Sequence, residues 1–289
     1  MKQKTYSLNL PSSLALLGDL HGRPFQPVID ILRQNKPQII AIAGDIVSGH
    51  HPADDVSPLV SQKNILPFLE NCAAIAPSFL SLGNHEWMLD EKDLDLIRNT
   101  GVTLLDNAWT SCGGIVLGGL TSAVVLDYRR FKGCHGDGSS GSGCHGDGSS
   151  GSQPHVRYPK PDPEEADVRM KRLTEPDLSW LDEYTQTPGC HILLCHHPEY
   201  YPKIPDTVDW ILSAHAHGGQ WRFYNPKTKK SEGLFAPGQG LFPRWTRGIY
   251  DNRLIVTAGL SNTAKIPRFF NPREIVYLHS ALHNHPKQL

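Results

Sequence analysis

The sequence predicts an α/β fold with two sheets, each covered by helices. Three observations carry this. Apolar runs at 13–18 (SLALLG), 38–43 (QIIAIA) and 78–82 (SFLSL) alternate with amphipathic stretches, the β-α-β order of a parallel or mixed sheet with helical crossovers. A second set of apolar runs, at 191–195 (HILLC) and 208–213 (VDWILS), follows a break in that pattern. The tail from 221 to 279 alternates apolar runs with turn residues, as antiparallel strands do. The chain has 289 residues, enough for one large domain or two small ones. One domain spanning 1–289 is expected, because the polar motifs below run from Asp19 to His217 and must converge.

Between the strands, residues 25–35 read as a helix with Val28, Ile31 and Leu32 on one face. Residues 59–71 read as a second helix that Pro67 should kink or break. Residues 91–99 form a third, stopping near Gly101. From 102 to 120 short strands are expected, punctuated by Gly113-Gly114 and Gly118-Gly119. Residues 163–185 read as a helix with Glu164, Glu165 and Asp167 near its start. The N-terminal stretch MKQKTYSLNLPSSLALLGD has no small-residue cleavage site, and its apolar run ends in Gly18-Asp19. That run reads as the first strand rather than part of a signal peptide.

The formal net charge is -1, and Lys and Arg form no large cluster, which argues against a nucleic-acid-binding surface. Lys227, Lys229 and Lys230 make a short basic run that reads as a solvated hairpin tip. No apolar stretch approaches the ~20 residues of a membrane span. Peripheral contact with a membrane stays open. Of six cysteines, Cys72, Cys112, Cys190 and Cys195 are scattered, as reduced buried thiols are, so a cytoplasmic location is expected. Cys134 and Cys144 belong to a segment of its own kind: residues 133–142 (GCHGDGSSGS) recur letter for letter at 143–152. Its Gly and Ser content reads as a flexible loop, natural or engineered. A soft-metal site built on its Cys-His pairs is the alternative.

The chemistry lies at strand ends. The first three apolar runs lead into Gly18-Asp19-Leu20-His21-Gly22, Gly44-Asp45 and Gly83-Asn84-His85-Glu86. The later pair lead into His196-His197 and His215-Ala216-His217. Ligands of open α/β sheets collect at the carboxyl ends of strands, so five such motifs point into one crevice. Carboxylates and imidazoles suit divalent manganese, iron, cobalt or zinc. Asp19 and His21, like His215 and His217, are two apart, so each pair can reach one ion from a turn. A carboxylate must bridge two closely spaced cations, and Asp45 is the natural candidate. A lone Gly-Asp or a lone His is ordinarily structural; five motifs in this order are not.

These motifs resemble the calcineurin-like metallophosphoesterase superfamily, whose pattern runs D-x-H, GD, GNH followed by E or D, H, and GHxH. The likeness covers about residues 13–279. It implies a four-layer α-β-β-α sandwich of two mixed sheets flanked by helices, and two divalent metal ions (Mn, Fe, Zn or Co, with Mn favoured). It further implies one ion on Asp19, His21, Asp45 and His217, a second on Asp45, Asn84, His196 and His215, and His85 as the acid or positioning group near the leaving oxygen. Of the adjacent pair, His196 is taken over His197 by motif position. Ala214 and Ala216 replace the usual Gly and Thr around the last His pair, and neither supplies a ligand side chain.

The implied reaction is hydrolysis of a phosphoester by a hydroxide shared between the cations, in line with the leaving group. The Ser/Thr phosphoprotein phosphatase branch follows its second Gly-Asp with Asp-Arg-Gly, and here Gly44-Asp45 continues Ile46-Val47-Ser48. HAHGGQ at 215–220, with PGQGLFPRWTRGIY and LIVTAGLSNT downstream, looks like a bacterial branch acting on phosphodiesters and pyrophosphate-linked lipid or cell-wall precursors, often at the membrane. A small-molecule phosphoester is therefore the expected substrate, with Arg244 and Arg247 as weak candidates for contacting it. A metal-free scaffold of the same fold and a phosphoprotein phosphatase are the alternatives, and the full set of motif ligands favours an enzyme.

Overall fold

The computed structural model describes residues 1–48, 57–134, 175–262 and 267–280. Its first sheet has six strands: β1 (Lys2–Leu8), β2 (Leu14–Leu17), β3 (Ile39–Ala43), β4 (Ser78–Ser81), β5 (Thr103–Leu105) and β16 (Glu274–Ser280), in the order β1-β16-β2-β3-β4-β5. β2, β3, β4 and β5 run parallel, while β16 is antiparallel to β2 and parallel to β1. The second sheet joins β6 (Ala108–Cys112), β7 (Ile115–Leu120), β8 (Cys190–Cys195), β9 (Trp210–Ser213), β14 (Gly248–Tyr250) and β15 (Leu254–Val256), in the order β14-β15-β9-β8-β7-β6. Its central strands β7, β8, β9 and β15 are parallel.

β2 and β3 are buried along their whole length, as parallel strands covered on both faces must be. One face of the first sheet packs on the helices α1 (Gln26–Asn35), α3 (Ile65–Ile75) and α4 (Glu91–Asn99) through Val28, Ile29, Phe68, Leu69, Leu94 and Ile97. The opposite face meets the second sheet, with Leu14, Leu16, Ile39, Ala41, Leu117, Ile192, Leu194 and Leu212 in one core. Beyond the second sheet a third core gathers Tyr184 of α6 (Leu181–Gln186) and Tyr200 of a 3-10 turn at Pro198–Lys203. The layers are therefore helices, sheet, sheet and a thinner helical cover, the expected four-layer sandwich.

Four expectations change. Gly118-Gly119 does not punctuate the strands but lies inside β7. The predicted helix at 59–71 is two pieces: a single turn, α2 (Pro58–Ser61), then α3. The break falls at residues 62–64 and not at Pro67, which occupies the first turn of α3, where its missing N–H deprives the helix of no bond. Of the expected helix at 163–185, residues 163–174 lie outside the described residues, 175–180 are not helical, and α6 begins only at Leu181. Two elements went unforeseen: β1, whose half-exposed alternation KQKTYSL pairs with β16 from the far end of the chain, and α5 (Ala123–Cys134). The duplicated segment at 133–152 lies outside the described residues from His135 onward.

In the tail, β10 (Arg222–Asn225) and β11 (Lys230–Gly233) form one antiparallel hairpin, and β12 (Phe235–Ala236) and β13 (Gly240–Leu241) another. The lysine run sits on the exposed turn of the first, as its sequence predicts. Cys72, Cys112, Cys190 and Cys195 are free thiols. Among the described residues no helix is long and apolar enough to cross a membrane.

Candidate metal centre

All five polar motifs emerge at the carboxyl ends of parallel strands, three from the first sheet (β2, β3, β4) and two from the second (β8, β9). Backbone bonds stitch those ends together. Asp19 N–H donates to Gly44 O at 3.1 Å, His21 N–H to Asp45 O at 3.0 Å and Ala214 N–H to His196 O at 3.1 Å. Between sheets, His196 Nδ1 lies 2.6 Å from Ala43 O, and His215 N–H donates to Asp19 Oδ1 at 3.2 Å. The crevice is thus a seam between the two sheets.

Asp19, His21, Asp45, His215 and His217 all hold positive φ, between 46° and 63°. This left-handed region is sparsely used by residues with a Cβ and costs on the order of 1–3 kcal/mol each. Five such residues in one site mark a backbone held in place to aim side chains. Two glycines make the approach possible. A Cβ on Gly44 would lie 2.5 Å from Gly83 N, and one on Gly259 only 2.2 Å from Asp19 Oδ2.

Glu86 supplies the clamp. Its buried carboxylate accepts from the N–H groups of Gly83 (2.7 Å), Asp45 (2.9 Å), Ile46 (2.8 Å) and Val47 (3.1 Å). It therefore locks the β3 and β4 loops to each other. Burial and then the Asp45 charge push this carboxyl up to about 7, against the pull of the backbone N–H donors of Val47 and Asp45.

Asp45 is the hub. Its Oδ2 lies 3.1 Å from His196 Nε2, 3.7 Å from His85 Nε2 and 3.8 Å from His21 Nε2, and its Oδ1 accepts from His85 N–H at 2.9 Å. Burial opposes its charge, yet His196 and His85 hold it well below the usual carboxylate range. Around it, His21 Nε2 is 4.0 Å from Asp19 Oδ1, and His217 Nδ1 is 3.8 Å from Asp19 Oδ2. Burial pushes His21, His215 and His217 down, which keeps these imidazoles in the neutral form that metal ligation needs. Burial also acts against His196, but Asp45, by charge and hydrogen bond, and then Asp19 hold it up at about 10.

Three overlapping groups bring ligand atoms within 4.8 Å of one another: Asp19, His21 and His217; His21, Asp45 and His85; Asp45, His196 and His215. A fourth joins His197, Glu199 and His215. Asp19 Oδ2, His21 Nε2 and Asn84 Oδ1 are buried with no hydrogen-bond partner, and His196 Nε2 has none beyond its 3.1 Å approach to Asp45 Oδ2. Buried polar atoms are normally satisfied, so such atoms around one carboxylate are what a cation site leaves open. His197 is held on one side only: its Nε2 is 2.9 Å from Ser122 Oγ, while its Nδ1, 3.8 Å from Glu199 Oε2, is also buried without a hydrogen-bond partner.

Asp19, His21, Asp45, His85, His196, His215 and His217 come together in this crevice, and Asn84 follows Gly83 after β4 with its side-chain oxygen buried. Arg244 and Arg247 are engaged elsewhere: Arg247 pairs with buried Glu274, and the Arg244 guanidinium lies 4.9 Å over the Trp245 ring. The guanidinium that does reach the crevice is Arg268, with Nη2 3.2 Å from His217 Nδ1. It also donates to Ser261 O, while its Nε and Nη1 are buried without a partner. Burial lowers this guanidinium to about 10 despite the nearby Asp19. Its only signal in the sequence is an arginine beside two phenylalanines, while Gly259 falls within the LIVTAGLSNT stretch without being marked as a site residue.

An α/β sandwich that gathers carboxylates and imidazoles into overlapping cation-sized groups at parallel strand ends is built as a metal-dependent phosphoester hydrolase. The chain belongs to the calcineurin-like phosphoesterase family, whose model matches residues 12–219. This class implies two divalent metal ions as cofactors. Over 261 residues the chain is 24% identical to the uncharacterized protein YpbG of Bacillus subtilis (strain 168), a match covering 89% of this chain and 76% of that protein. A dimetal phosphatase from Danio rerio is similar over 77% of this chain and 86% of its own, at 14% identity and a TM-score of 0.43. A cold-active protein-tyrosine phosphatase of a psychrophilic Shewanella species covers 96% of this chain and 77% of its own, at 11% identity and a TM-score of 0.35. Membership rests on the family match, and these two looser likenesses add nothing to it.

Proposed function

We propose that the chain hydrolyses phosphodiester or pyrophosphate-type bonds of small-molecule substrates. Asp19, His21, Asp45 and His217 would hold one divalent cation, and Asp45, Asn84, His196 and His215 the other. The observation that carries this reading is the set of buried, unpartnered atoms on Asp19, His21 and Asn84, with His196 Nε2 beside them, around the Asp45 carboxylate. Each unsatisfied buried polar atom costs roughly 1–3 kcal/mol. Cations held by these residues would satisfy such atoms. Mixed carboxylate, imidazole and amide oxygen donors suit manganese, iron, zinc or cobalt, with manganese favoured. Bound there, the ions supply Lewis acidity at the phosphoryl group and at the attacking water.

The chain's own groups do the rest. Asp45 stands between both sets, and Glu86 fixes its backbone so that the carboxylate stays aimed. His196 is favoured over His197 as a ligand, because its Nδ1 faces a backbone carbonyl and its Nε2 is left toward Asp45. His85 has a side chain 23% exposed beside Asp45, where a leaving oxygen can take up a proton. Arg268 brings positive charge to the edge of His217, suited to phosphoryl oxygens. The sequence supports a diester or pyrophosphate over a phosphoprotein through the missing Asp-Arg-Gly element. Free thiols at all four described cysteines support a cytoplasmic location.

A hydrolysis screen of phosphomonoesters, phosphodiesters and nucleotide-sugar or lipid pyrophosphates with manganese tests this. The expected result is preference for a diester or pyrophosphate. Preference for a phosphoprotein contradicts the substrate class, and no turnover with metal bound contradicts the hydrolytic reading.

A further inference from the structure

Eight of the ten large hydrophobic side chains exposed among the described residues fall between 221 and 270. They form one surface. Trp221 packs 6.2 Å from Phe269, which packs 4.2 Å from Phe270, and Phe223 packs 6.4 Å from Phe242. Trp221 and Phe223 are two apart and so share a face where β10 begins. Leu241, Phe242 and Phe270 are the most open, at 68%, 70% and 75%. Between Trp221, Phe223, Tyr224, Leu234, Phe269 and Phe270 lies a cleft of about 640 Å³.

The surface is cationic at its border. The turn of the β10–β11 hairpin carries Lys227, Lys229 and Lys230. Over residues 220–250 Arg222 is buried and Arg247 pairs with Glu274, which leaves Lys227, Lys229, Lys230 and Arg244 against the single acid Glu232. That carboxylate accepts from Asn225 and Thr228 on the same hairpin. The surface is also fixed to the metal centre. Buried Arg222 donates to Gly218 O at 2.7 Å, to Thr246 Oγ1 at 3.1 Å and to Ser231 Oγ at 3.1 Å, tying the hairpin to the loop of His217. Arg268, which reaches His217, directly precedes Phe269.

Aromatic rings bordered by lysines are the side chains of a membrane interface: rings sit at the headgroup level, and lysines meet anionic lipid. A monomer rarely exposes so continuous an apolar surface without a partner. A two-fold contact with a second copy would set the same cationic border against itself. We infer that this face docks on an anionic lipid bilayer, with the metal centre at its edge toward the headgroups and the cleft open to an acyl chain. That a lipid-borne phosphoester is then the substrate rests on the hydrolytic reading above.

The test is sedimentation of the manganese-loaded full chain with vesicles of phosphatidylcholine plus phosphatidylglycerol, and with phosphatidylcholine alone. The wild type binds the mixed vesicles. Phe242→Ser with Phe270→Ser lowers that binding about tenfold or more through lost apolar insertion. Lys229→Gln with Lys230→Gln lowers it about twentyfold, and only on the anionic vesicles. Both variants keep wild-type turnover of a soluble bis-aryl phosphodiester, because none of the four residues belongs to the metal centre. No binding to the mixed vesicles, binding untouched by either variant, or a dimer that Phe242→Ser dissociates without vesicle binding overturns the inference. Vesicle binding without turnover of the soluble diester supports the docking surface and removes the hydrolytic reading instead.

Discussion

His196 Nε2 lies 3.1 Å from Asp45 Oδ2, a contact between side chains carried by different sheets. His197, one residue on, faces Ser122 and Glu199 instead. The neighbours should therefore behave differently on truncation. His196→Ala is expected to lose one of two bound metals and at least about a thousandfold in kcat/KM. His197→Ala should keep both metals and lose about ten- to a hundredfold, as a supporting residue does. Metal analysis beside kinetics separates them, and the reverse pattern would move the second cation to the His197, Glu199 and His215 group.

Glu86 accepts four backbone N–H donors inside the core. Glu86→Gln turns an amide NH2 against some of those donors. The expected cost is about 2–3 kcal/mol of stability, read as a lower denaturant midpoint, together with weaker metal binding. An unchanged midpoint would mean that the carboxylate is not the clamp.

Gly259→Ala should disturb the centre, since its Cβ would fall 2.2 Å from Asp19 Oδ2 at a φ of +75°. Gly240→Ala is the control: its φ is +73°, but nothing lies within 4 Å of the added carbon. Both carry the left-handed penalty of about 1–3 kcal/mol. Only Gly259→Ala is expected to weaken metal binding, by more than about tenfold. Equal metal affinity in the two would remove Asp19 from the site.

Much of this was legible in advance, and the rest was not, for physical reasons. β2, β3, β4, β8 and β9 are short apolar runs buried on both faces, so composition alone marks them, and the polar residues after each run identify the crevice. β1 hides because its partner β16 lies at the other end of the chain and its own pattern is half exposed. α3 was misplaced because Pro67 signals a break wherever it stands, while its tolerance in a first turn depends on where the helix starts. Glu86 and Gly259 were visible as letters of quoted stretches but not as a clamp or a close approach, and Arg268 carries no local signal at all. The roles of Gly259 and Arg268 exist only once the tail folds back beside Asp19 and His217.

Arg268 offers a sign test. Its guanidinium sits beside His217 and repels a cation there, yet it favours phosphoryl oxygens. Arg268→Met is expected to bind manganese as tightly as the wild type or more so. It should also raise the inhibition constant for inorganic phosphate about ten- to a hundredfold, the worth of a charged hydrogen bond. Weaker metal binding with phosphate inhibition unchanged would make Arg268 a structural support of His217.

The most direct measurement of the central claim is metal stoichiometry followed alongside activity. Chain stripped by chelator is titrated with manganese, while bound metal and turnover of a bis-aryl phosphodiester are recorded together. Two ions per chain are expected, with activity absent in stripped protein and appearing as the second ion binds. Full activity in verified metal-free protein, or saturation at one ion with full turnover, would contradict a dinuclear centre bridged by Asp45.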